Sequence, residues 1–211
     1  MKLCTLENVK LLLGIKGDSE SSRIELVIGQ VSASVCAYLG YNPEIKDYVE
    51  LQAVTGSQLL QLNHFPIRNV SSVKYDGMEI TDYKVLPQYS RNGQLYRGNG
   101  WGGAYYTRGM TYDVVSGAYN YEIAYKAGWY LPDSAQYDEG NEDSLPPEIS
   151  SACMYAVAES YSVLSEGALG IKSRTEGGIS TTYGNAFGET STGLSAKVMA
   201  MLDPYRMVGV A

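Results

Sequence analysis

The residue types that could perform acid–base or metal chemistry are few and scattered along this sequence. His64 is the only histidine among 211 residues, and it lies between Asn63 and Phe65 at the end of a predicted strand. A single imidazole does not make a histidine-rich metal site, and no nucleophile motif such as Gly-x-Ser-x-Gly accompanies it. We interpret His64 as a turn residue with local hydrogen bonds. The sequence predicts neither enzyme activity nor a cofactor.

Two polar segments are the remaining candidates for ligand binding. The carboxylates Asp138, Glu139, Glu142 and Asp143 are close enough in sequence for Ca²⁺, but they lack EF-hand spacing and read as a solvated linker. The Gly-rich stretch 98–103 (GNGWGG) lacks the Lys and Ser/Thr of a phosphate-binding loop. The Gly and aromatic residues of segment 98–109 predict an exposed loop there.

The net charge argues against a protein that binds nucleic acid through its phosphates. Asp and Glu number 23 against 16 Lys and Arg, a net charge of −7, whereas each phosphate contact needs a cation. Basic residues do mix with tyrosine in the middle of the chain. Such a face could bind single-stranded nucleic acid or sugar, and the same residues fit hairpin surfaces or a protein interface. The net acidity argues against nucleic acid. The basic residues are Arg68, Arg91, Arg97, Arg108 and Lys126.

Cysteine and apolar patterns favour a soluble protein with reduced thiols. Cys4, Cys36 and Cys153 are odd in number and far apart, which is not typical of a disulfide framework or a zinc site. The aliphatic run 11–13 is far too short for a membrane span or a signal peptide. Tyrosine is abundant, 19 residues against two Phe and two Trp, which suits strands and partner-facing surfaces.

The ends of the chain are predicted to be helical. Thr5 caps a short helix that Gly14 ends, and a longer helix follows Asp18 or Ser19 and stops at Gly40. The apolar residues of the long helix recur every three or four positions. They are Ile24, Val27, Ile28, Val31, Val35 and Leu39. Another helix enters through two prolines, and its stripe is Ile149, Cys153, Ala156, Val157, Ser160 and Leu164.

The middle of the chain, from about residue 49 to 130, alternates as strands do. A turn at residues 55–56 is predicted to return the chain into a strand over 58–62, and Asp76-Gly77 indicates a two-residue hairpin. Residues 119–127 read as a long final strand. Gly177-Gly178 favours a second hairpin, and a last short helix carries Leu194, Val198, Met201 and Leu202.

These patterns predict an α+β fold: a small α-helical bundle of two long helices plus short terminal helices, with a β-rich insertion. Residues 1–44 and 145–211 form the helical core with a C-terminal hairpin and tail. Residues 45–132 form the insertion, and residues 133–144 form an acidic linker.

The order of these elements resembles the head-tail connector (head-completion adaptor) proteins of long-tailed bacteriophages. Residues 5–15 (TLENVKLLLGI) are similar to the opening segment of that family, and residues 64–77 (HFPIRNVSSVKYDG) to its hairpin. Residues 122–129 (EIAYKAGW) are similar to its strand, and residues 145–149 (LPPEI) open the second long helix. The long insertion at 89–118 departs from a minimal member.

The resemblance implies a structural virion protein that forms a ring adaptor of about twelve copies between portal and tail. The ring would extend the DNA channel, and genomic DNA would pass through without sequence-specific binding. Its partners would be further copies of itself, the portal protein, and a tail-side stopper or tail-completion protein. We expect no membrane partner, and a location at the head-tail interface after synthesis in the host cytoplasm.

We expect partner contacts in two regions. The C-terminal segment, which the resemblance directs toward the portal, contributes Leu194, Val198, Leu202, Tyr205, Arg206, Met207 and Val208. The Gly/Tyr-rich insertion contributes Trp101, Tyr105 and Tyr106. The same aromatic residues support the alternative that the insertion is a carbohydrate- or surface-binding β module.

Overall fold

A computed structural model describes residues 1–53, 56–102, 119–138, 140–165, 173–176, 179–182 and 193–207. The helices are α1 (Leu6–Leu13), α2 (Ser21–Leu39), α3 (Pro87–Ser90), α4 (Pro147–Ser165) and α5 (Ala196–Leu202), which a 3₁₀ turn follows at Asp203–Tyr205. The strands are β1 (Lys46–Ala53), β2 (Leu59–Gln61), β3 (Ile67–Tyr75), β4 (Met78–Glu79), β5 (Tyr83–Lys84), β6 (Gln94–Arg97), β7 (Tyr119–Ala127), β8 (Ser173–Glu176) and β9 (Ile179–Thr182). The predicted α+β class is confirmed.

The chain divides into two compact units. The first comprises residues 1–42 and 130–211, and it contains the helices other than α3 among the described elements. The second comprises residues 43–129 and contains β1 to β7. Among the described residues, no helix combines the length and the apolar character needed to cross a membrane.

Thr5 begins α1, and a glycine ends each of the first two helices, as predicted. The Thr5 hydroxyl accepts a hydrogen bond from the Asn8 amide, and Gly14 ends α1 in the left-handed conformation. Helix α2 buries its whole apolar stripe, and Gly40 ends it with φ +82°. The stripe therefore faces the core of the first unit.

Small side chains lie where α2 and α4 pack together. Ser32 is buried, and its hydroxyl accepts a hydrogen bond from the Leu3 amide at 3.1 Å. The same hydroxyl lies 3.7 Å from the Cys153 sulfur of α4, which is 3.6 Å from the Cys4 sulfur. Small residues allow this close approach. The two long helices pack against each other, as expected for the predicted helical bundle.

The second unit contains two antiparallel sheets. Their strand orders are β1-β7-β3-β4 and β2-β6-β5. The hairpin at Asp76-Gly77 is confirmed, since Tyr75 pairs with Met78 and Asp76 has φ +47°. In the first unit β8 and β9 pair across residues 177–178, as predicted.

One predicted hairpin is wrong. Strand β1 does not return into β2; it pairs with β7, and β2 pairs with β6 in the other sheet. The physical reason is burial, because Leu60 of β2 and Leu95 of β6 both lie in the core of this unit. Burial of these side chains in the core therefore decides the strand pairing more strongly than the predicted turn at residues 55–56 does.

The core of the second unit also corrects the prediction of an exposed loop from residue 98. Trp101 is fully buried, and its indole nitrogen donates a hydrogen bond to the Leu95 carbonyl at 3.1 Å. Its ring packs edge-on against Tyr121. The beginning of the Gly-rich segment is therefore anchored in the core.

Candidate functional site

An apolar groove lies between α1 and α4 on the first unit. Thr5 starts α1 so that Val9 points into the core, which leaves Leu11 and Leu12 on the outer side. Leu11 is 81% exposed and Leu12 47%. We call this feature the α1–α4 groove, and it is lined by Asn8, Leu11, Leu12, Ser151, Met154 and Tyr155. Exposed apolar side chains gathered in a concave surface are typical of a protein-binding site.

A single cation lies at the Tyr155 side of this groove. The Lys197 ammonium of α5 lies 4.2 Å from the centroid of the Tyr155 ring, a cation–π contact. No carboxylate of the described chain is within ion-pair distance of Lys197. The groove is thus apolar, and within the described chain the positive charge beside it has no carboxylate partner.

A second exposed apolar surface lies on the second unit. Alternate residues Asp47, Val49 and Leu51 of β1 point to one side of the sheet, and we call them the outer face of β1. Val49 is 68% exposed and Leu51 57%. Because β1 is an edge strand, one side of it has no strand neighbour among the described residues.

The opposite side of β1 carries a polar cluster around Glu50. The Glu50 carboxylate is mostly buried and accepts hydrogen bonds from the Tyr125 hydroxyl and from both the amide and the side chain of Asn63. The His64 Nδ1 lies 2.9 Å from the same carboxylate, and the His64 ring stacks on Tyr48 at 3.7 Å. These groups connect β1, β7 and the segment between β2 and β3.

Hydrogen bonding decides the charge of this cluster. Burial alone would raise the pKa of the Glu50 carboxyl, but hydrogen bonds from Tyr125, His64, Asn63 and Gln52 together hold that pKa below its ordinary value. Burial, and then the hydrogen bond to Glu50, raise the pKa of the Tyr125 hydroxyl. Glu50 is therefore ionised and Tyr125 protonated at neutral pH.

This arrangement corrects the interpretation of His64 as a locally bonded turn residue. Its partner is an acid 14 positions earlier, on another element. The cluster holds one carboxylate, and no three His, Cys, Asp or Glu residues of the described chain are grouped as metal ligands. No sequence signal identified Glu50, because a carboxylate in an alternating strand usually points to solvent.

The cysteines are packed in the first unit. Cys4 and Cys153 are buried, and Cys36 is half-buried. The hydrogen bond with Cys4, and then burial, raise the pKa of the Cys153 thiol, while burial raises the pKa of Cys36 to about 12. The Cys36 and Cys153 thiols are poor nucleophiles at neutral pH because their thiolate forms are disfavoured.

The predicted C-terminal partner residues have two different environments. Leu194, Val198 and Leu202 are buried in the first unit. Tyr205 is half-buried and donates a hydrogen bond to Glu148, whereas Arg206 is exposed above the Tyr38 ring. The described tail ends at Met207, whose amide donates to the Leu39 carbonyl; Val208 lies outside the described residues.

The predicted partner residues of the insertion are described only in part. Trp101 is a core residue, and Tyr105 and Tyr106 lie outside the described residues. Sequence patterns did not predict the roles of Met154 and Tyr155 in the α1–α4 groove. The available signal was Leu11, an apolar residue that does not lie on the same side of α1 as the buried Val9.

Two solved structures contain chains that are similar to this one. A chain in "Neck of empty GTA particle computed with C6 symmetry" is similar over 99% of this chain and 92% of that chain, with a TM-score of 0.52 and 14% identity. A chain in "Virion of native gene transfer agent (GTA) particle" is similar over 93% of this chain and 82% of that chain, with a TM-score of 0.46 and 13% identity. At such identity the first likeness shows the fold alone. No curated protein matches the chain.

A family model described as "Head completion protein" matches residues 2–208. That match covers nearly the whole sequence, and the chain therefore belongs to the head completion protein family.

Proposed function

We propose that this protein is a non-enzymatic ring adaptor that joins the portal to the tail of a long-tailed phage and extends the DNA channel. The observation that carries the proposal is the family match over residues 2–208, which makes the chain a structural component of the virion. The ring, its copy number of about twelve, and the partners on either side are the proposed part.

Electrostatics supports a channel that does not hold DNA. A net charge of −7 per copy is multiplied around a ring, and negative walls repel phosphates. The duplex then slides without binding. A cationic lining would instead retain it through counterion release.

Exposed apolar surfaces support assembly with other protein chains. A closed ring of identical copies needs two different surfaces on each copy, one for each neighbour. The described residues expose two candidate apolar surfaces, the α1–α4 groove and the outer face of β1. Portal and tail-side proteins would contact other surfaces, and the end of the C-terminal segment, residues 205–208, is our proposed portal-binding region.

The direct test is reconstitution on phage heads that carry the portal but lack this protein. We expect the purified chain to add ring-shaped density at the portal vertex in electron micrographs, and to make the heads competent to join tails. A chain that leaves the portal vertex bare and the heads unable to join tails would contradict the proposal.

The carbohydrate-binding alternative receives no support from Trp101. A sugar-stacking residue must expose its ring, but the Trp101 indole is buried and its N–H is hydrogen-bonded. Packing of the core accounts for this residue.

A further inference from the structure

We propose that the α1–α4 groove of one copy binds the outer face of β1 of a second copy, with Lys197 of the first copy paired to Asp47 of the second. This inference rests on the proposed function, because it assigns the two surfaces through which neighbouring copies meet. It names a partner, a second copy of this chain, for two apolar surfaces that would otherwise be exposed to water.

The groove has the composition of a surface that is covered in the assembly. Four of its lining residues are Leu11, Leu12, Met154 and Tyr155, and Leu11 is the most exposed large apolar residue of the described chain. Met and Tyr are favoured in protein interfaces because one adapts its shape and the other offers a large rigid area. The groove's two polar side chains, Asn8 and Ser151, carry no charge.

The outer face of β1 has the complementary form. Val49 and Leu51 are two positions apart on a strand, so their side chains project side by side as a narrow apolar ridge. On the neighbouring strand β7, the side chains opposite them belong to Ala124 and Glu122. Ala124 is too small to cover Val49, which leaves the ridge raised above the sheet.

Opposite charges support the pairing of the groove with the ridge and indicate which way the ridge lies in the groove. The groove has a cation at one side, where Lys197 stands over Tyr155. The ridge has an anion at one end, where Asp47 precedes Val49 on the same face. Asp47 is largely exposed, and its nearest cation, Lys126, is 3.8 Å away. With Val49 and Leu51 in the groove, the Asp47 carboxylate can meet the Lys197 ammonium.

Head-to-tail closure favours a second copy as the occupant. The two surfaces differ from each other, so each copy offers its groove to one neighbour and its ridge to the other. This heterologous contact generates rings, whereas a self-complementary patch would stop at dimers. Other occupants, such as the portal, are outcomes of the test below.

A charge-reversal experiment tests the contact on portal-bearing heads. We expect Lys197→Glu and Asp47→Lys each to lower the yield of rings about tenfold, because each places like charges at every interface. An equimolar mixture of the two variants should restore rings to within about twofold. In the mixture, the groove of each variant meets the ridge of the other, and every contact is again between opposite charges.

The mixing result separates contact between copies from any other explanation. If the single variants assemble as the wild type does, or if the mixture is not rescued, the proposed contact is wrong. Heads that still receive the single variants at the portal vertex, without rings, leave the proposed function intact. Heads that take up neither the variants nor the wild type refute the proposed function, and the inference with it.

A matched pair of apolar substitutions tests the groove itself. Leu11→Ser should lower ring yield about tenfold, whereas Leu26→Ser, which removes another exposed leucine, from α2, should leave it unchanged. Circular dichroism will verify that both variants are folded. A larger loss of ring yield for Leu26→Ser than for Leu11→Ser would overturn the assignment of the α1–α4 groove to this contact.

Photocrosslinking identifies the occupant. A benzophenone amino acid in place of Leu11, irradiated on heads carrying the protein, should crosslink to a peptide that contains Val49 and Leu51. A product with the portal, or with another part of the chain, would overturn the inference.

Discussion

At the scale of single residues, Glu50 differs most from what its type suggests. Its carboxylate is surrounded by donors from Tyr125, Asn63 and Gln52 and by the ring of His64. A charge removed from water is stable only when its lone pairs are satisfied. The cluster thus ties the edge strand β1, which carries the proposed assembly face, to the rest of the second unit.

We predict that Glu50→Gln lowers the free energy of unfolding at pH 7 by about 2 kcal/mol, because it removes hydrogen bonds to a charged acceptor. The folded-state pKa of Glu50 lies below its ordinary value of 4.5. Its contribution is therefore complete above pH 4.5 and is lost as the pH falls through the folded pKa. Urea unfolding of both proteins across this range will measure the difference.

The control for this substitution is Glu122→Gln. Glu122 is half exposed and pairs with Lys74 at 3.0 Å on the other side of the sheet. Its loss should cost less than about 1 kcal/mol. A Glu50→Gln effect that does not shrink as the pH falls would show that the carboxylate charge is not what stabilises the cluster.

Gly128 supports a second residue-scale prediction. It has φ +108°, and a Cβ there would lie 2.7 Å from the Glu44 carbonyl oxygen. Gly128→Ala should lower the free energy of unfolding by about 2 kcal/mol or more. Gly29→Ala, in the exposed middle of α2 where nothing lies within 4 Å, should raise it by about 0.5–1 kcal/mol. Thermal unfolding of both variants will measure the two changes in stability. Changes of the same sign would contradict this explanation.

At the scale of secondary-structure elements, α2 is the helix whose placement follows most directly from its pattern. All six apolar residues of its stripe are buried, and α4 packs on it across Ser32 and Cys153. Helix α1 is different, because its eight residues divide between the core, through Val9, and the groove, through Leu11 and Leu12. The apolar stripe of α2 thus faces only the core, whereas the apolar residues of α1 face both the core and the groove.

We predict that Val31→Asp costs about 3 kcal/mol or more in unfolding free energy, because it buries a carboxylate among apolar side chains. Leu26→Asp on the same helix should cost less than about 1 kcal/mol, since Leu26 is exposed. Chemical denaturation of the two variants checks this. Equal stability of both would show that the stripe is not core.

At the scale of the whole molecule, the acidic charge is the property with the longest reach. The sequence as a whole carries a net charge of −7. In the proposed DNA channel, this charge would set how weakly the protein and the duplex interact.

We predict that the wild-type protein does not bind duplex DNA measurably at physiological salt. Fluorescence anisotropy of a labelled duplex should stay flat up to protein concentrations of about 100 μM, the weak end of ordinary non-specific binding. A basic DNA-binding protein in the same assay serves as the positive control. Saturable binding with a steep salt dependence would contradict the proposed sliding channel.

The sequence by itself determined the features whose causes are local. Caps at Thr5 and Gly14, the α2 stripe and the Asp76-Gly77 hairpin each depend on residues a few positions apart. Side-chain hydrogen bonds, positive φ and helical periodicity act over that range, so the sequence displays them.

Only the tertiary structure decided which strands pair and which side of each strand is buried. Alternation shows that β1 has two unlike faces, but it does not show that Glu50 points to the core and Val49 to solvent. That choice depends on β7, about seventy residues later, and on donors from Asn63 and Tyr125. Contacts between distant segments form only in the folded chain, which is why the His64 partner, the burial of Trp101 and both proposed assembly surfaces emerged from the structure.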